Sequence, residues 1–216
     1  MAAAQLLILF TRYPKPGSTK TRLIPLLGAD GAARLQKSMT ETIAASVRRL
    51  ALDGTIETVV CHHGGSTEEM QSWLGHDFIY QQQGPGDIGQ RMLHALRNAL
   101  DAGAKHVVLV GSDIPGLSTT IMAEAFDRLH HSPVVLGPAL DGGYYLIGVR
   151  DDIPSTELVS LFSDIPWSTA EVFLRTVHRL EAAGLTFAPL PLLRDVDEPT
   201  DLSGSVLPRI DTQHFS

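Results

Sequence analysis

"HVVLVGSDIPGL", residues 106–117, runs an apolar stretch into a glycine, a serine, an aspartate and a proline. Positions 107–110 are continuously apolar, as befits a strand buried on both faces. Gly111 and Pro115 close the stretch and leave Asp113 at its carboxyl end. When such strands alternate with amphipathic helices, the sheet is mostly parallel and covered on both sides. Ligands of such sheets gather beyond the carboxyl ends of the strands.

The flanking sequence repeats this alternation. Upstream, "QLLILF" (5–10) is a short buried strand, and 29–52 has helical spacing through Leu35, Met39, Ile43 and Val47. "TIETVVCH" (55–62) reads as a strand, 66–74 as a short helix and "DFIYQQ" (77–82) as a weaker strand. Residues 87–103 form an amphipathic helix with Met92, Leu93, Leu96 and Leu100 on one face and Gly103 as its stop. Downstream, a helix over 118–130 precedes two strands, "PVVLGPAL" (133–140) and "GGYYLIGV" (142–149). The spacing predicts a helix over 168–183, capped by Ser168 with Glu171 completing a capping box. "LTFAPLPLL" (185–193) is the last strand. With no internal repeat, low-complexity tract or linker, residues 1–216 read as a single Rossmann-like three-layer α/β/α domain.

Composition limits what such a domain does. The chain has 216 residues, 44% hydrophobic and 19% charged, which suits a soluble globular protein. A net charge of −7 and a pI near 5.6 argue against a general nucleic-acid binder. The lone Cys61 excludes an intramolecular disulfide and points to the cytoplasm. The amino-terminal apolar run is too short and too early interrupted by Arg12 and Pro14 for a signal peptide. No stretch approaches the roughly 20 apolar residues of a membrane helix.

The loops at the strand ends carry the chemistry. After the first strand comes "TRYPKPGSTKTRL" (11–23), with cations at Arg12, Lys15, Lys20 and Arg22 and a flexible Gly17. It fails the G-x-x-x-x-G-K-[ST] pattern at Thr19, yet hydroxyls and cations on a loop suit a polyphosphate. The plainer alternative is a solvated loop. Asp113 can hold Mg2+ or Mn2+, or cap a turn. "RDVDEPTDL" (194–202) adds Asp195 and Asp197, which share a face in extended chain, while Pro199 also suits a helix start. "ALDGG" sets Asp141 before Gly142 and Gly143, where the backbone can approach a ligand closely. One of Tyr144 and Tyr145 faces the site and the other the core. "GPGDIG" (84–89) matches G-x-G-x-x-G, so dinucleotide binding of the NAD type stands as an alternative. "CHH" (61–63) reads as a core cysteine beside exposed histidines, since neighbouring strand residues point to opposite faces.

Taken together, "FTRYPKPGSTKTRL", "GDIGQRM", "GSDIPGL", "GPALDGGYYLIG", "IPWST" and "RDVDEPTDL" resemble, in this order, a largely uncharacterised bacterial family. Its members are assigned as glycosyltransferases or nucleotide-diphospho-sugar transferases, some linked to arsenosugar biosynthesis or selenium-associated gene sets. The family is related to A-type glycosyltransferases and to nucleotidyltransferases that make molybdopterin dinucleotide and cytidylated sugars. The resemblance implies the A-type glycosyltransferase fold and a nucleotide site at Arg12, Lys15, Gly17, Lys20, Arg22, Asp87 and Arg91. It implies a divalent metal, Mg2+ or Mn2+, at Asp113 and Asp197, with Lys20 beside them in the catalytic group. It implies an acceptor pocket at Asp141, Gly142, Gly143, Tyr144 and Trp167. Gly116 departs from the pattern, standing where relatives more often carry an acidic residue. The expected activity is metal-dependent transfer of a sugar from a nucleotide-diphosphate sugar to a small-molecule acceptor. The alternatives are nucleotidyl transfer with pyrophosphate release and a non-catalytic nucleotide-binding module.

Overall fold

The computed structural model describes residues 4–202. Strands β1 (Gln5–Arg12), β2 (Ile56–His63), β3 (Ile79–Gln82), β4 (His106–Gly111), β5 (Val134–Pro138), β6 (Tyr144–Arg150) and β7 (Phe187–Pro189) form one sheet in the order β3-β2-β1-β4-β6-β5-β7. Helices α1 (Ile24–Leu50), α2 (Thr67–Leu74), α3 (Ile88–Asp101), α4 (Thr119–Leu129), α5 (Ser155–Ser160) and α6 (Val172–Ala182) cover it. This is the mostly parallel α/β sandwich that the alternation implies.

Strand β1 shows why. Its residues alternate between two cores: Leu7 and Leu9 pack with Ile43 and Val47 of α1 and Met122 of α4, while Leu6, Ile8 and Phe10 pack with Met92 and Leu96 of α3 and Leu180 of α6. A strand apolar on both faces must sit centrally, and β1 pairs in parallel with β2 on one side and β4 on the other. Strand β6 runs antiparallel to both β4 and β5. The turn of Asp141 and Gly142 forces this: Ala139 N–H donates to Gly143 O at 3.0 Å and Gly142 N–H to Ala139 O at 3.1 Å, too short a connection for a crossover.

Four expectations need correction. The final strand covers only Phe187–Pro189, with a single further bridge from Leu193 to Ala139. Pro189 and Pro191 lack the N–H groups a longer ladder needs. The sixth helix begins at Val172, and Ser168 does not cap it: Ser168 sits in the left-handed region at φ 64° and reverses the chain. That reversal brings Ala170 onto Gly142, where an added Cβ would meet backbone at 2.2 Å, and lets Phe173 N–H donate to Gly142 O at 2.8 Å. Of the two histidines, only His63 is exposed. His62 is fully buried, its Nδ1 3.0 Å from Gly64 O, because its strand partners cover the face that carries it. Helix α1 also begins before the expected 29, with a non-helical break at Gly28. Among the described residues no helix is long and apolar enough to cross a membrane.

Candidate functional site

The carboxyl ends of β1 and β4 and the amino end of antiparallel β6 open onto two adjoining cavities. The wider, about 360 Å3, is lined by Arg12, His63, Gln83 and Arg91 on one side and by Asp141, Tyr144, Trp167 and Asp195 on the other. The smaller, about 280 Å3, is lined by Arg12, Lys20, Thr21 and Arg22. Arg12, Gln36, Asp113 and Asp197 border both.

Lys20 lies at the junction. After β1 the chain folds back on itself: Thr19 Oγ1 donates to Tyr13 O at 3.4 Å, and Gly17, at φ 79°, makes the turn. Lys20 takes a left-handed backbone (φ 49°, ψ 48°) and its carbonyl accepts Leu23 N–H at 2.9 Å, starting a 3₁₀ turn over Thr21–Leu23. Its Nζ sits 2.9 Å from Asp113 Oδ2 and 2.8 Å from Asp197 Oδ1, and donates to Val196 O at 2.7 Å. A small apolar cluster anchors this arrangement. Leu23, Leu35, Met39 and Val196 are packed together beneath it, and Val196 N–H donates to Asp113 O at 3.1 Å. The two aspartates, far apart in sequence, are thus joined by one ammonium.

Beneath Asp113 lies a buried polar network that sequence reading missed. Gln36 Nε2 is 3.0 Å from Asp113 Oδ1, 3.0 Å from Ser112 Oγ and 3.1 Å from Thr40 Oγ1. Thr11 donates to Ser112 Oγ at 2.9 Å. The available signal was the polar pair Gln36 and Thr40, four apart beside the apolar stripe of α1 and therefore on its buried side. Burial alone would raise the Asp113 carboxyl. The Lys20 ammonium and the Gln36 and Ser112 hydrogen bonds outweigh it and hold the group below the usual carboxylate range. Burial alone would likewise lower Lys20, but Asp113 and Asp197 raise it, so the ammonium stays charged.

The wider cavity has two poles. On one wall, burial and then the neighbouring charges of Arg91 and Arg12 lower the His63 pKa. On the other, the parallel bridge between Ala139 and Leu193 brings the Asp141 turn and the Asp195 segment to the same wall, and both aspartates line the cavity. Burial and the neighbouring Asp141 push the Asp195 carboxyl up to about 6. Trp167 forms the floor, stacked on Phe162 at 6.2 Å and edge-on to Tyr144 at 6.3 Å. The Tyr144 hydroxyl is buried without a hydrogen-bond partner. Tyr145 faces the core and donates to Pro191 O at 2.9 Å.

Other candidates have different roles here. Asp87 caps α3, accepting Gln90 N–H at 2.9 Å, and lines neither cavity. Arg91 lines the wider one and donates to Gly86 O at 2.8 Å. Lys15 is exposed and lines neither cavity. The glycines of "GPGDIG" serve packing: a Cβ on Gly89 would meet the Trp167 ring at 2.3 Å, and one on Gly86 the Gln90 side chain at 2.0 Å. Their loop follows β3, an edge strand, whereas a dinucleotide fingerprint follows a central one.

Residues 27–169 match the family described as an uncharacterized protein conserved in bacteria, DUF2064. The chain belongs to this family. Among solved structures, this DUF2064 protein is similar to a provisionally assigned nucleotide-diphospho-sugar transferase from Desulfovibrio desulfuricans G20. The two are 36% identical over 92% of this chain and 84% of that one, with a TM-score of 0.82. It shares its fold with 4-diphosphocytidyl-2C-methyl-D-erythritol synthase from Anaerococcus prevotii DSM 20548, at 10% identity, TM-score 0.58 and coverage of 92% and 95%. The fold also matches glucosyl-3-phosphoglycerate synthase from Mycobacterium tuberculosis, a structure holding Mn2+, uridine diphosphate and product. There the identity is 13%, the TM-score 0.55 and the coverage 93% and 75%. No curated protein matches the chain.

Among the described residues no three His, Cys, Asp or Glu side chains are grouped to hold a metal ion, so a divalent cation here would rest on two carboxylates and on ligand oxygens. Asp113 and Asp197 present only oxygens, and a single cationic nitrogen already reaches both within 2.9 Å. Asp195 lies two residues away along the same edge.

Proposed function

We propose that this protein, as one domain over residues 1–216, is a metal-dependent transferase that moves the sugar of a nucleotide-diphosphate sugar to a small-molecule acceptor. The observation that carries the reading is the junction itself. A cation-lined cavity and a wider cavity with aromatic and acidic walls meet at Asp113 and Asp197. The first suits a diphosphate and the second a sugar with its acceptor. The likeness to a nucleotide-diphospho-sugar transferase at 36% identity supports the same assignment.

In this reading Arg12 and Arg22 bind the phosphates, and Lys20 stands in the same wall, paired with Asp113 and Asp197. Asp113 and Asp197 hold Mg2+ or Mn2+, which when bound neutralises charge on the departing diphosphate. Gln36, Ser112 and Thr11 fix the Asp113 carboxylate before substrate arrives, so little reorganisation is left for the reaction. Trp167 and Tyr144 offer an apolar face to a sugar ring, and Asp141 and Asp195 accept hydrogen bonds from acceptor hydroxyls.

Nucleotidyl transfer is the second reading. It is favoured by the cation-lined loop directly after β1 and by the fold shared with a diphosphocytidyl synthase. In that case a phosphorylated acceptor attacks the α-phosphorus of a nucleoside triphosphate and pyrophosphate leaves.

Incubation with panels of nucleotide sugars and nucleoside triphosphates, with Mg2+ or Mn2+, separates them. Release of nucleoside diphosphate supports the first reading and release of pyrophosphate the second. Tight binding without turnover leaves a nucleotide-binding module. Arg12→Ala with Arg22→Ala should weaken nucleoside diphosphate binding on the order of a hundredfold, with little effect on the bare nucleoside, since each charge-assisted bond contributes roughly 1.5–3 kcal/mol. Equal small losses for both ligands would refute the phosphate assignment.

A further inference from the structure

Every proton of the Lys20 ammonium is already committed. An ammonium donates three hydrogen bonds, and three acceptors surround this one: Asp113 Oδ2, Asp197 Oδ1 and Val196 O, at 2.9, 2.8 and 2.7 Å. The side chain is 3% exposed, whereas that of Arg22 on the same wall is 58% exposed. Here a cation in the wall of the smaller cavity spends its donors on the two carboxylates that suit a metal.

We propose that Lys20 is the resting cation of the Asp113–Asp197 pair, and that it gives up both carboxylates to a divalent metal and turns to the nucleotide's phosphates. This rests on the reading of the site as one for metal and nucleotide. The charges explain the exchange. One ammonium neutralises half of the pair's charge, Arg22 adds only a longer, largely exposed contact 3.6 Å from Asp197 Oδ2, and a divalent cation balances both carboxylates fully. A displaced ammonium in a buried setting is costly unless it finds another anion. A diphosphate in the adjoining cavity is that anion. Metal without nucleotide therefore strands Lys20, and nucleotide without metal finds Lys20 occupied. Each ligand strengthens the other's binding through Lys20, and the coupling is reciprocal.

The backbone supports a residue with two positions. Lys20 is one of three non-glycine residues with positive φ among the described residues, and it stands between a flexible loop and a 3₁₀ turn. Left-handed backbone on a long side chain is held only by its surroundings. Metal binding would release its side-chain contacts, while the Leu23 N–H bond to its carbonyl keeps the turn in place.

The test is Mn2+ affinity in the absence of any nucleotide, measured by electron paramagnetic resonance on wild type, Lys20→Ala and Lys20→Gln. The exchange predicts that both variants bind Mn2+ at least about tenfold more tightly than wild type, because the competing charged hydrogen bonds are gone. Equal or weaker affinity in a folded variant overturns it. Should both variants fail to fold, lysine-ammonium NMR on the wild type decides. A sequestered Lys20 gives a slowly exchanging ammonium resonance that saturating Mg2+ with pyrophosphate must shift or release. A resonance that does not respond, or none at all, overturns the proposal. Sugar or nucleotidyl turnover by the wild type is scored separately, so the failed exchange and the failed catalytic reading give different results.

Discussion

Replacing Gln36 by Met isolates the network that holds Asp113. Met fills a similar volume in the buried space but donates no hydrogen bond. The change removes a charge-assisted bond to Asp113 Oδ1, made at 3.0 Å, and the neutral contacts to Ser112 and Thr40 at 3.0 and 3.1 Å. The first contributes about 1.5–3 kcal/mol and a neutral bond about 0.5–1.5 kcal/mol. Burying the more apolar side chain returns about 1 kcal/mol. Ser112 and Thr40 keep Thr11 as a partner, so neither is orphaned. The expected net loss is about 2 kcal/mol, or roughly 4–8 °C in melting temperature for a chain of this size. The loss belongs to the ionised carboxylate, whose pKa is depressed below the ordinary 3.8. It is therefore fully present above about pH 4 and shrinks as pH falls through the depressed value. Urea denaturation at pH 7 and at the lowest pH where the protein stays folded measures both. Nucleotide-dependent Mn2+ binding should weaken in parallel, because Asp113 loses its fixed orientation. A Gln36→Met protein within about 0.5 kcal/mol of wild type, with unchanged Mn2+ binding, would refute the claim that this network positions Asp113.

Two further outcomes test the opposite wall. Gly89→Ala forces a Cβ into the Trp167 ring and should cost roughly 1–3 kcal/mol by overpacking. It should lower acceptor use while leaving nucleoside diphosphate affinity unchanged, as calorimetry with each ligand would show. Asp195→Asn removes a carboxyl whose pKa is raised to about 6 in the folded state. Between the ordinary carboxyl value and pH 6 the folded protein binds more protons than the unfolded chain, so wild-type stability from this group falls as pH rises. The variant should be more stable than wild type at pH 8, by roughly 1 kcal/mol after solvent screening, and no more stable at pH 4, by thermal melts of the metal-free protein.

The parts of the fold legible in the sequence are those whose local signals agree with the tertiary outcome. Strands β1 and β4 are apolar on both faces and lie centrally, and the helices expected over 66–74 and 87–103 form at Thr67–Leu74 and Ile88–Asp101. The segment after Trp167 misled because its capping pattern competes with the contact between Gly142 and Ala170, which no local pattern reveals. The last strand was overextended because its hydrophobicity outlasts its supply of N–H donors. At the site, charged residues at strand ends were visible, since their type and position carry meaning alone. Gln36 was not, because a neutral side chain on a helix acquires its role only when β4 brings Ser112 and Asp113 beneath it. The burial of Lys20 was equally illegible, since it depends on Val196 and Asp197 arriving from the far end of the described chain.

Of the two tryptophans, one lines the wider cavity and the other packs behind the loop that borders the smaller. Trp167 lies on Gly89 in the wall of the wider cavity, and Trp73 packs edge-on against Tyr13, at 6.0 Å, where the loop bearing Lys20 begins. Indole emission responds to its immediate surroundings, so the molecule has its own optical reporters. A ligand seated in the wider cavity is read at Trp167, and rearrangement of the loop bearing Lys20 at Trp73 through Tyr13. Replacing either by Phe leaves the other as a single fluorophore, and stopped-flow mixing can then time the two events separately and give the order in which the halves of the site fill.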